Sequence, residues 1–447
     1  MNVLLINYNN PYQESGIVVL DLFNEFKRKG HKVKVLVNTF STDYPDGIIS
    51  METYLSSLKR RLYYKLIYLF NINLHSRIKT DPDYCIFELK EQREFFKTTK
   101  LLEKAGFIPQ VIIILFAKDF INVKNIYELY HKTNSPILWV MFDMAPLTGG
   151  CHYAWNCEGY RTSCGKCPGI FSSDPFDVTY QNLIYKKNYI DKTNIQIIAG
   201  SEWQYKQAKE SSLFKNKVIH KILISVDPGI FRPVDKLEIR NKTGIPAGKK
   251  VIFFGALGLD SARKGMKYLL ESLAILNSLL HEESELRGNI FLLIAGNGFD
   301  KIREFLPFDY INLGMIDNTY GIASCYQAAD VFVCPSIEDS GPTMINQSLM
   351  CGTPVVSFEM GVAMDLVLPG ETGYLAKIRD SQDLAQGIYK ILTLKDNESG
   401  EMSENCRELA LRLFSPEVRM EKFENLIESL NTEKEHSIDQ NLLMNKS

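Results

Sequence analysis

The segment Ser336-Ile-Glu-Asp-Ser-Gly-Pro-Thr-Met-Ile-Asn-Gln-Ser-Leu-Met-Cys-Gly-Thr-Pro-Val-Val356 joins an acidic pair, a Ser-Gly-Pro turn and a helix-forming run. It follows the apolar run Asp330–Pro335 and leads into a second apolar run that ends at Phe358. This order predicts strand, tight loop, helix and strand, because continuous apolar runs form strands that are buried on both faces. Backbone N–H groups at the start of such a helix can hold a phosphate. The segment therefore predicts an α/β sheet with an anion site beside Glu338 and Asp339.

The size and composition of the chain limit what it can be. At 447 residues it exceeds the roughly 250–300 residues at which a single core stops growing, so we expect two domains. Hydrophobic residues make up 45% and charged residues 23%, which is typical of folded proteins in water. A net charge of -2 gives no general attraction to nucleic acid. Met1–Asn7 predicts a first strand rather than a signal peptide, and no apolar run reaches the roughly 20 residues of a membrane span.

Apolar runs of strand length alternate with amphipathic, helix-like segments along most of the chain. The following runs predict strands: Val3–Asn7, Lys32–Val37, Val111–Phe116, Ile137–Met141, Gln196–Ala199, Val251–Phe254, Ile290–Ala295, Tyr310–Leu313, Val331–Cys334 and Val355–Phe358. Helices are predicted at Val18–Lys29, Gly265–His281, Tyr320–Ala329 and Asp383–Leu392. The alternation favours an α/β fold with doubly wound parallel sheets.

A boundary between two domains is predicted near Ser225–Val234, where two prolines and a glycine interrupt the pattern. We therefore expect one domain at 1–225 and a second at 226–412. The segment 413–447 is expected to contain an amphipathic helix at Ser415–Leu430 and a polar tail. Open α/β sheets bind ligands at the carboxyl ends of their strands, so a cleft between the two domains is the expected site.

A glycine-containing loop after the predicted strand Val251–Phe254 places Arg263 and Lys264 directly before a helix. Two adjacent cations can offset the negative charge of a departing nucleoside diphosphate. The alternative is a solvated basic pair at the start of a helix. Cations are mildly unfavourable there because of the helix dipole, so an anion that shares the site explains them better.

These two loops, Phe253–Gly265 and Ser336–Val356, resemble the donor-binding elements of retaining glycosyltransferases with the GT-B fold, family 4 among them. The resemblance implies two Rossmann-like domains that face a cleft, and a C-terminal helix that crosses back to the first domain. It implies transfer of a sugar from a nucleotide-diphosphate sugar. No cofactor is implied for catalysis, because the two cations do the work of a divalent metal.

The resemblance also implies roles for single residues. Arg263 and Lys264 bind the diphosphate, although the usual arginine position of the family holds Ala256 here. Glutamates of the family correspond to Asp339 and Gln347, and Glu338 precedes the first of them. Asp339 or Glu338 is expected to orient the sugar, and Gln347 to hold the ribose, since its amide keeps hydrogen-bonding capacity without the charge. The remaining donor-binding positions implied are Gly16, Gly296, Ile316, Ser340, Gly341 and Thr343.

In the first half, the stretch Thr148-Gly-Gly-Cys-His152 resembles a block of bacterial family-4 enzymes that build surface polysaccharides. A glycan or lipid-linked glycan acceptor is thereby implied. The block usually has a histidine directly before its aspartate, where this chain has Phe142 before Asp143. A retaining front-side displacement needs no protein base, because the leaving phosphate can take the acceptor proton. Asp143 and His152 remain candidates for holding the acceptor hydroxyl.

Four cysteines, Cys151, Cys157, Cys164 and Cys167, lie in a predicted insertion at 151–168. Their spacing, which ends in Cys-x-x-Cys, is typical of a structural zinc site, in which His152 could replace one ligand. Buried free thiols and a redox pair are the alternatives. Nine cysteines in a chain without an export signal predict reduced thiols in a cytoplasm.

The segment 58–79 is basic and rich in Tyr, Leu and Phe. Such a helix suits an anionic membrane surface, so peripheral contact with the inner membrane surface is one expectation. An ordinary domain helix and a short nucleic-acid patch are the alternatives. The overall charge favours no nucleic-acid partner.

Two other functions fit the same architecture. One is a nucleotide-sugar epimerase, although such enzymes lack the cysteine-rich insertion. The other is a catalytically impaired binding or scaffold protein, which Asp339 and Gln347 in place of two glutamates would suit. Transfer or hydrolysis of UDP- and GDP-sugars discriminates among the three.

Overall fold

The computed structural model describes residues 1–12, 16–53, 58, 62, 78–86, 91–280 and 285–444, with the backbone alone for residues 285 and 433–444. The chain divides into two compact units. The first contains Met1–Ala199, Gln204–Ile222 and Met420–Ser447, and the second contains Gly200–Trp203 and Leu223–Arg419. The basic segment 58–79 lies almost entirely outside the described residues, so its membrane interpretation stays a prediction.

A parallel sheet forms the centre of the first unit. Its described strands are β1 (Asn2–Asn7), β2 (Lys32–Val37), β3 (Ile48–Ser50), β4 (Val111–Ile114), β5 (Ile137–Val140), β6 (Ile195–Ala199) and β7 (Ile219–Lys221). Their order across the sheet is β3-β2-β1-β4-β5-β6-β7, and the order of the chain reverses between β1 and β4. Leu5 and Ile113 face each other across this pair with no exposed surface. Such burial on both faces explains the uninterrupted apolar runs.

Helices cover the first sheet. They are α1 (Ile17–Arg28), α2 (Thr98–Ala105), α3 (Val123–Thr133), α4 (Val178–Ile190) and α5 (Glu202–Glu210). Polar caps fix where two of them begin. Asn122 accepts a hydrogen bond from the N–H of Asn125 at α3, and Asp177 accepts from the N–H groups of Thr179 and Tyr180 at α4.

A second parallel sheet forms the centre of the second unit. Its described strands are β8 (Lys250–Gly258), β9 (Ile290–Asn297), β10 (Asp309–Asn312), β11 (Val331–Cys334), β12 (Val355–Phe358) and β13 (Gly373–Ala376). Their order is β10-β9-β8-β11-β12-β13, so the chain order reverses between β8 and β11.

The helices of the second unit are α6 (Lys236–Thr243), α7 (Met266–Leu279), α8 (Glu285–Asn289), α9 (Thr319–Ala328), α10 (Thr343–Met350), α11 (Ala363–Leu366), α12 (Ser381–Leu392) and α13 (Asp396–Phe414). A charged network attaches α6 to the sheet. Asp330 accepts from Nη2 of Arg240 and from the N–H of Val251, each at 2.7 Å. This contact holds α6 beside the amino end of β8.

The last helix, α14 (Pro416–Met444), begins in the second unit and belongs to the first unit from Met420 onward. Phe423 and Ile427 are buried in the same apolar cluster as Phe26. The rings of Phe26 and Phe423 lie 6.1 Å apart, and Nε2 of His31 lies 3.0 Å from a carboxylate oxygen of Glu424. The predicted return of the C-terminal helix to the first domain is confirmed. Within the described part of the chain, no helix combines the length and apolarity that crossing a membrane requires.

Candidate functional site

The two motif loops meet at the carboxyl edge of the second sheet. They follow β8 and β11, the adjacent strands between which the chain order reverses. Open α/β sheets bind ligands at such a reversal, where the strand ends border a crevice. The loop after β8 carries Arg263 and Lys264, and the loop after β11 carries Glu338 and Asp339. The fold thus brings the predicted cations and acids to one place.

Gly265 allows these loops to approach each other. Its φ is 67°, and a Cβ atom there would lie 1.8 Å from the carbonyl oxygen of Pro335. The N–H of Ile337 donates to the carbonyl oxygen of Arg263 at 2.8 Å. Only glycine meets both the left-handed backbone and the close contact.

Both cations contact the same carboxylate oxygen. Nη1 of Arg263 lies 2.9 Å and Nζ of Lys264 lies 2.5 Å from Oδ2 of Asp339. The Asp339 side chain is 9% exposed, so the contact is shielded from water. Burial alone would raise the pKa of Asp339, but the charges of Lys264 and Arg263 outweigh burial and lower it. The aspartate is therefore ionised at neutral pH.

The helix that follows the acidic loop, α10, adds a second anion-favouring feature. It begins at Thr343, and Pro342 before it forms no side-chain cap. Ser340 is buried, while Gly341 and Thr343 are half-buried. The positive end of the α10 dipole and its first N–H groups thus follow directly on the acidic loop.

Gln347 lies on α10, where a buried tyrosine holds it. The hydroxyl of Tyr326 donates to Oε1 of Gln347 at 3.0 Å, and Tyr326 has no exposed surface. Because Tyr326 engages the amide oxygen, the amide N–H groups are what Gln347 can offer to a ligand. Sequence reasoning missed Tyr326, since it is one of several apolar residues in a predicted helix and no motif marks it.

Two further predicted donor contacts lie at the same sheet edge. Gly296 is near the end of β9, and its N–H donates to the carbonyl oxygen of Gly314 at 2.8 Å. Ile316 is half-buried in the segment after β10. Gly296, Ile316 and the loop residues Ser340 and Gly341 therefore follow or end strands at this edge, while Gln347 lies on the helix α10.

The predicted acceptor-side pair forms in the first unit. Nδ1 of His152 lies 2.6 Å from Oδ2 of Asp143, and Oδ1 of Asp143 accepts from the N–H of Ala145 at 2.7 Å. The imidazole is thus fixed by a carboxylate that is itself held by the backbone. Asp143 follows β5, so the pair also lies at a carboxyl strand end.

A cavity beside this pair is lined by Asp143 and His152 together with aromatic rings. Phe116 and Phe142 stack, with ring centroids 4.5 Å apart and an interplanar angle of 16°. Phe142 stands where the resembled block has a histidine. In this chain that position contributes an aromatic wall to the cavity.

Lys186 is a buried cation that sequence reasoning missed. Its Nζ donates to the carbonyl oxygens of Ala145 at 2.8 Å and Thr148 at 2.9 Å, and lies 3.7 Å from Oε2 of Glu91. The lysine side chain is 2% exposed. Lys186 therefore fixes the backbone that carries Asp143 and His152. In the sequence Lys186 is a lysine of the segment that forms α4, and nothing there indicates that it is buried.

Gly16 is the remaining predicted donor contact, and it lies in the first unit at the start of α1. It packs against the backbone of Asn10, because a Cβ atom at Gly16 would lie 1.8 Å from the Asn10 carbonyl oxygen. Residues 13–15 before it are outside the described part of the chain. Its contact with the donor stays a prediction.

Cys151, Cys157, Cys164 and Cys167 line one small cavity in the first unit. The zinc interpretation is not supported, because among the described residues no group of three or more His, Cys, Asp or Glu side chains could hold a metal ion. His152 contacts Asp143, and Cys157 and Cys164 pack against the apolar core. Burial raises the pKa of Cys164 to about 12, which favours the neutral thiol. These features fit the alternative of buried free thiols.

Residues 235–410 match the family model described as "Glycosyl transferases group 1". A D-inositol 3-phosphate glycosyltransferase of Stackebrandtia nassauensis is 29% identical over 180 residues, which are 38% of this chain and 39% of that protein. The alignment thus spans about two fifths of that relative's length.

Solved structures match over nearly the whole chain. Sucrose-phosphate synthase from Thermosynechococcus elongatus gives a TM-score of 0.66 at 17% identity and covers 96% of this chain and 99% of its own. HepE of Anabaena, in complex with UDP and glucose, gives a TM-score of 0.62 at 16% identity and covers 96% of this chain and 100% of its own. The predicted fold class is therefore confirmed: the chain has the GT-B fold, and its second unit resembles the group 1 glycosyltransferases in sequence.

Proposed function

We propose that the chain is a retaining glycosyltransferase that moves a sugar from a nucleotide-diphosphate sugar to a hydroxyl of a glycan or lipid-linked glycan. The proposal depends chiefly on Arg263 and Lys264, which converge with the start of α10 where the order of the second sheet reverses. Paired cations at a helix N-terminus suit a diphosphate. The complex of HepE with UDP and glucose supports a nucleotide sugar as the donor class.

The donor is held as follows. Arg263 and Lys264 neutralise the charge that develops on the leaving diphosphate, which favours cleavage of the bond to the sugar. Glu338 or Asp339 orients the sugar hydroxyls. N–H groups from Ser340 to Thr343 bind phosphate oxygen, except at Pro342, which has no N–H. The remaining contacts are assigned to Gln347 at the ribose, Ile316 at the base, and Gly296 and Gly16 at the nucleotide.

On the acceptor side, Asp143 and His152 hold the reacting hydroxyl. The acceptor oxygen forms its bond to the anomeric carbon on the face from which the diphosphate leaves. The leaving phosphate oxygen takes the hydroxyl proton, so no protein base is required. The configuration at the anomeric carbon is retained.

We infer a role in cell-surface polysaccharide biosynthesis from the Thr148–His152 block. A lipid-linked acceptor would be met at the cytoplasmic face of the membrane, where the basic segment 58–79 would provide peripheral contact. No metal is assigned a step in this proposal.

The test is transfer by purified protein from a panel of UDP- and GDP-sugars to lipid-linked and free glycans. We expect Lys264→Gln to lower transfer at least about 100-fold, because one cation at the leaving group is lost. Lys267→Gln is the matched control, since Lys267 is three residues further on, 78% exposed, and should retain activity within about twofold. Proton NMR of the product gives its anomeric configuration. Inversion, or transfer unaffected by Lys264→Gln, would contradict the proposal.

A nucleotide-sugar-binding protein without transferase activity is the second candidate. It is favoured by Asp339, which is shorter than the glutamate of the resembled enzymes and is paired with both cations. This candidate predicts that a UDP- or GDP-sugar raises the melting temperature while no nucleoside diphosphate is released. The same NMR spectra would show epimerised donor if the chain were an epimerase.

A further inference from the structure

The cations Arg263 and Lys264 of the second unit already contact a carboxylate of the protein itself. Asp339 places one carboxylate oxygen against both Arg263 and Lys264, at 2.9 and 2.5 Å. Asp339 thus compensates one of the two positive charges. A diphosphate that approaches the same cations meets a carboxylate in contact with both.

The short reach of Asp339 is set by its backbone. The acidic loop is held to the cation loop by the hydrogen bond from Ile337 N–H to Arg263 and by the close approach of Gly265 to Pro335. A side chain with one methylene between backbone and carboxylate therefore ends at the cations. Burial of the Asp339 side chain leaves little water to compete for this contact.

We propose that Asp339 is an internal counter-ion of the nucleotide site, which occupies Arg263 and Lys264 in the empty protein and is displaced by the diphosphate of the ligand. This inference rests on the proposed nucleotide-sugar function and assigns Asp339 to the cations rather than to the sugar. Glu338 is then the acid that orients the sugar. Asp339 acts as a positioning residue that also sets how tightly nucleotides bind.

Competition by Asp339 weakens binding of the nucleoside diphosphate product. A nucleoside diphosphate carries more negative charge than one carboxylate and forms several charge-assisted hydrogen bonds, so it displaces Asp339 from the two cations. When the nucleotide dissociates, Asp339 returns to the two half-buried cations and compensates part of their charge. The carboxylate therefore lowers nucleotide affinity and favours product release.

The test is calorimetric binding of UDP, GDP and inorganic pyrophosphate to the full chain and its variants. Asp339→Asn removes the negative charge that contacts both cations, and we expect about tenfold tighter binding of the nucleotide that the wild type prefers. Asp339→Glu keeps the charge and should stay within about threefold of the wild type. Glu404→Gln, an exposed acid on α13 of the same unit, controls for the loss of a negative charge elsewhere and should change nothing.

Two results would overturn the inference. The first is a folded Asp339→Asn protein that binds nucleotide no more tightly than the wild type, while Lys264→Gln has lost nucleotide binding. The proposed function would then stand, and only the counter-ion role of Asp339 would be wrong. The second is a wild-type protein that binds none of the three probes, which removes both proposals.

A measurement on the wild type keeps the inference testable if Asp339→Asn does not fold. In a crystal structure of the wild-type complex with UDP or GDP, we expect Oδ2 of Asp339 to lie more than about 4 Å from Nζ of Lys264, the ion-pair limit. A bound diphosphate with both Asp339 contacts retained contradicts displacement.

Discussion

At the residue scale, Gly265 controls how closely the two loops of the nucleotide site can approach. We predict that Gly265→Ala destabilises the protein by several kcal/mol and abolishes nucleotide binding, because its Cβ would meet the Pro335 carbonyl oxygen. Gly248→Ala is the matched control. Gly248 has a similar φ of 76° with nothing within 4 Å, so only the left-handed backbone cost of about 1–2 kcal/mol applies.

Urea denaturation of both variants measures the difference, and binding of UDP or GDP measures the effect on the site. Equal loss of stability in the two variants would show that the loops can separate without cost.

Asp143 allows a separate prediction at this scale. Asp143→Asn removes the charge that faces His152, so we expect the turnover number to fall at least about tenfold while nucleotide affinity is unchanged. Asp119→Asn is the control, because Asp119 lines the same cavity and its φ of 53° is tolerated by asparagine. Steady-state kinetics and calorimetry separate the two effects. A fall in nucleotide affinity would place Asp143 in the donor site.

The meeting of Arg263, Lys264 and Asp339 could be anticipated from the sequence in one respect. Their loops follow strands that a doubly wound fold places side by side, which is a matter of topology. That both cations share one oxygen depends on the Gly265 contact and on the length of the Asp339 side chain. The Gly265 contact and the length of the Asp339 side chain each depend on one residue, and a single residue forms no pattern that a sequence alone can reveal.

At the element scale, Lys186 connects α4 to the loop that carries the acceptor-side pair. Burial raises the pKa of Glu91 and the charge of Lys186 opposes this rise. Lys186→Met would leave the Glu91 carboxylate buried without its counter-ion, which costs about 3–5 kcal/mol. Lys187→Met is the control, since Lys187 is 45% exposed and its ion pair with Asp191 contributes under about 1 kcal/mol.

The loss in Lys186→Met should depend on pH. A carboxyl group whose folded pKa is raised destabilises the fold as pH rises from its unfolded value to its folded value. We therefore expect the deficit to be largest at pH 8 and to shrink as pH falls towards the ordinary value of 4.5. Urea denaturation at several pH values measures it. A deficit that is independent of pH would mean that Glu91 is not its cause.

The strands that sequence reasoning missed share one property. β3, β7 and β13 are edge strands of three or four residues. An edge strand is partly exposed, as in β13, where Tyr374 and Leu375 are half-buried. It therefore lacks the fully buried run by which the central strands β11 and β12 were predicted with their observed bounds.

At the scale of the whole molecule, α14 completes the core of the first unit with residues from the end of the chain. We predict that Ile427→Ala destabilises the first unit by about 2–5 kcal/mol, because Ile427 is fully buried against the first sheet. Glu428→Ala, at an exposed position on the same helix, should change stability by less than about 0.5 kcal/mol. Hydrogen exchange of peptides from β1 and β2 reports the effect locally. Unchanged exchange there would show that α14 is dispensable for the first unit.

The two domains were anticipated from length and alternation, and the fold followed from the two loops. Sequence alone could not give the contacts of α14 with the first sheet. An amphipathic helix shows that one face is buried but does not identify the surface that covers it. The resemblance supplied that surface, and burial of Phe423 beside Phe26 confirms it.

Because Met420 and the residues after it belong with strands that precede the second unit in the chain, translation makes them only after that unit. Until then, the apolar cluster of the first unit lacks Phe423 and Ile427. The first unit therefore gains this part of its core only after the second unit has been made. Cutting the gene between the two units would yield an amino-terminal fragment that needs a carboxyl-terminal peptide supplied in trans.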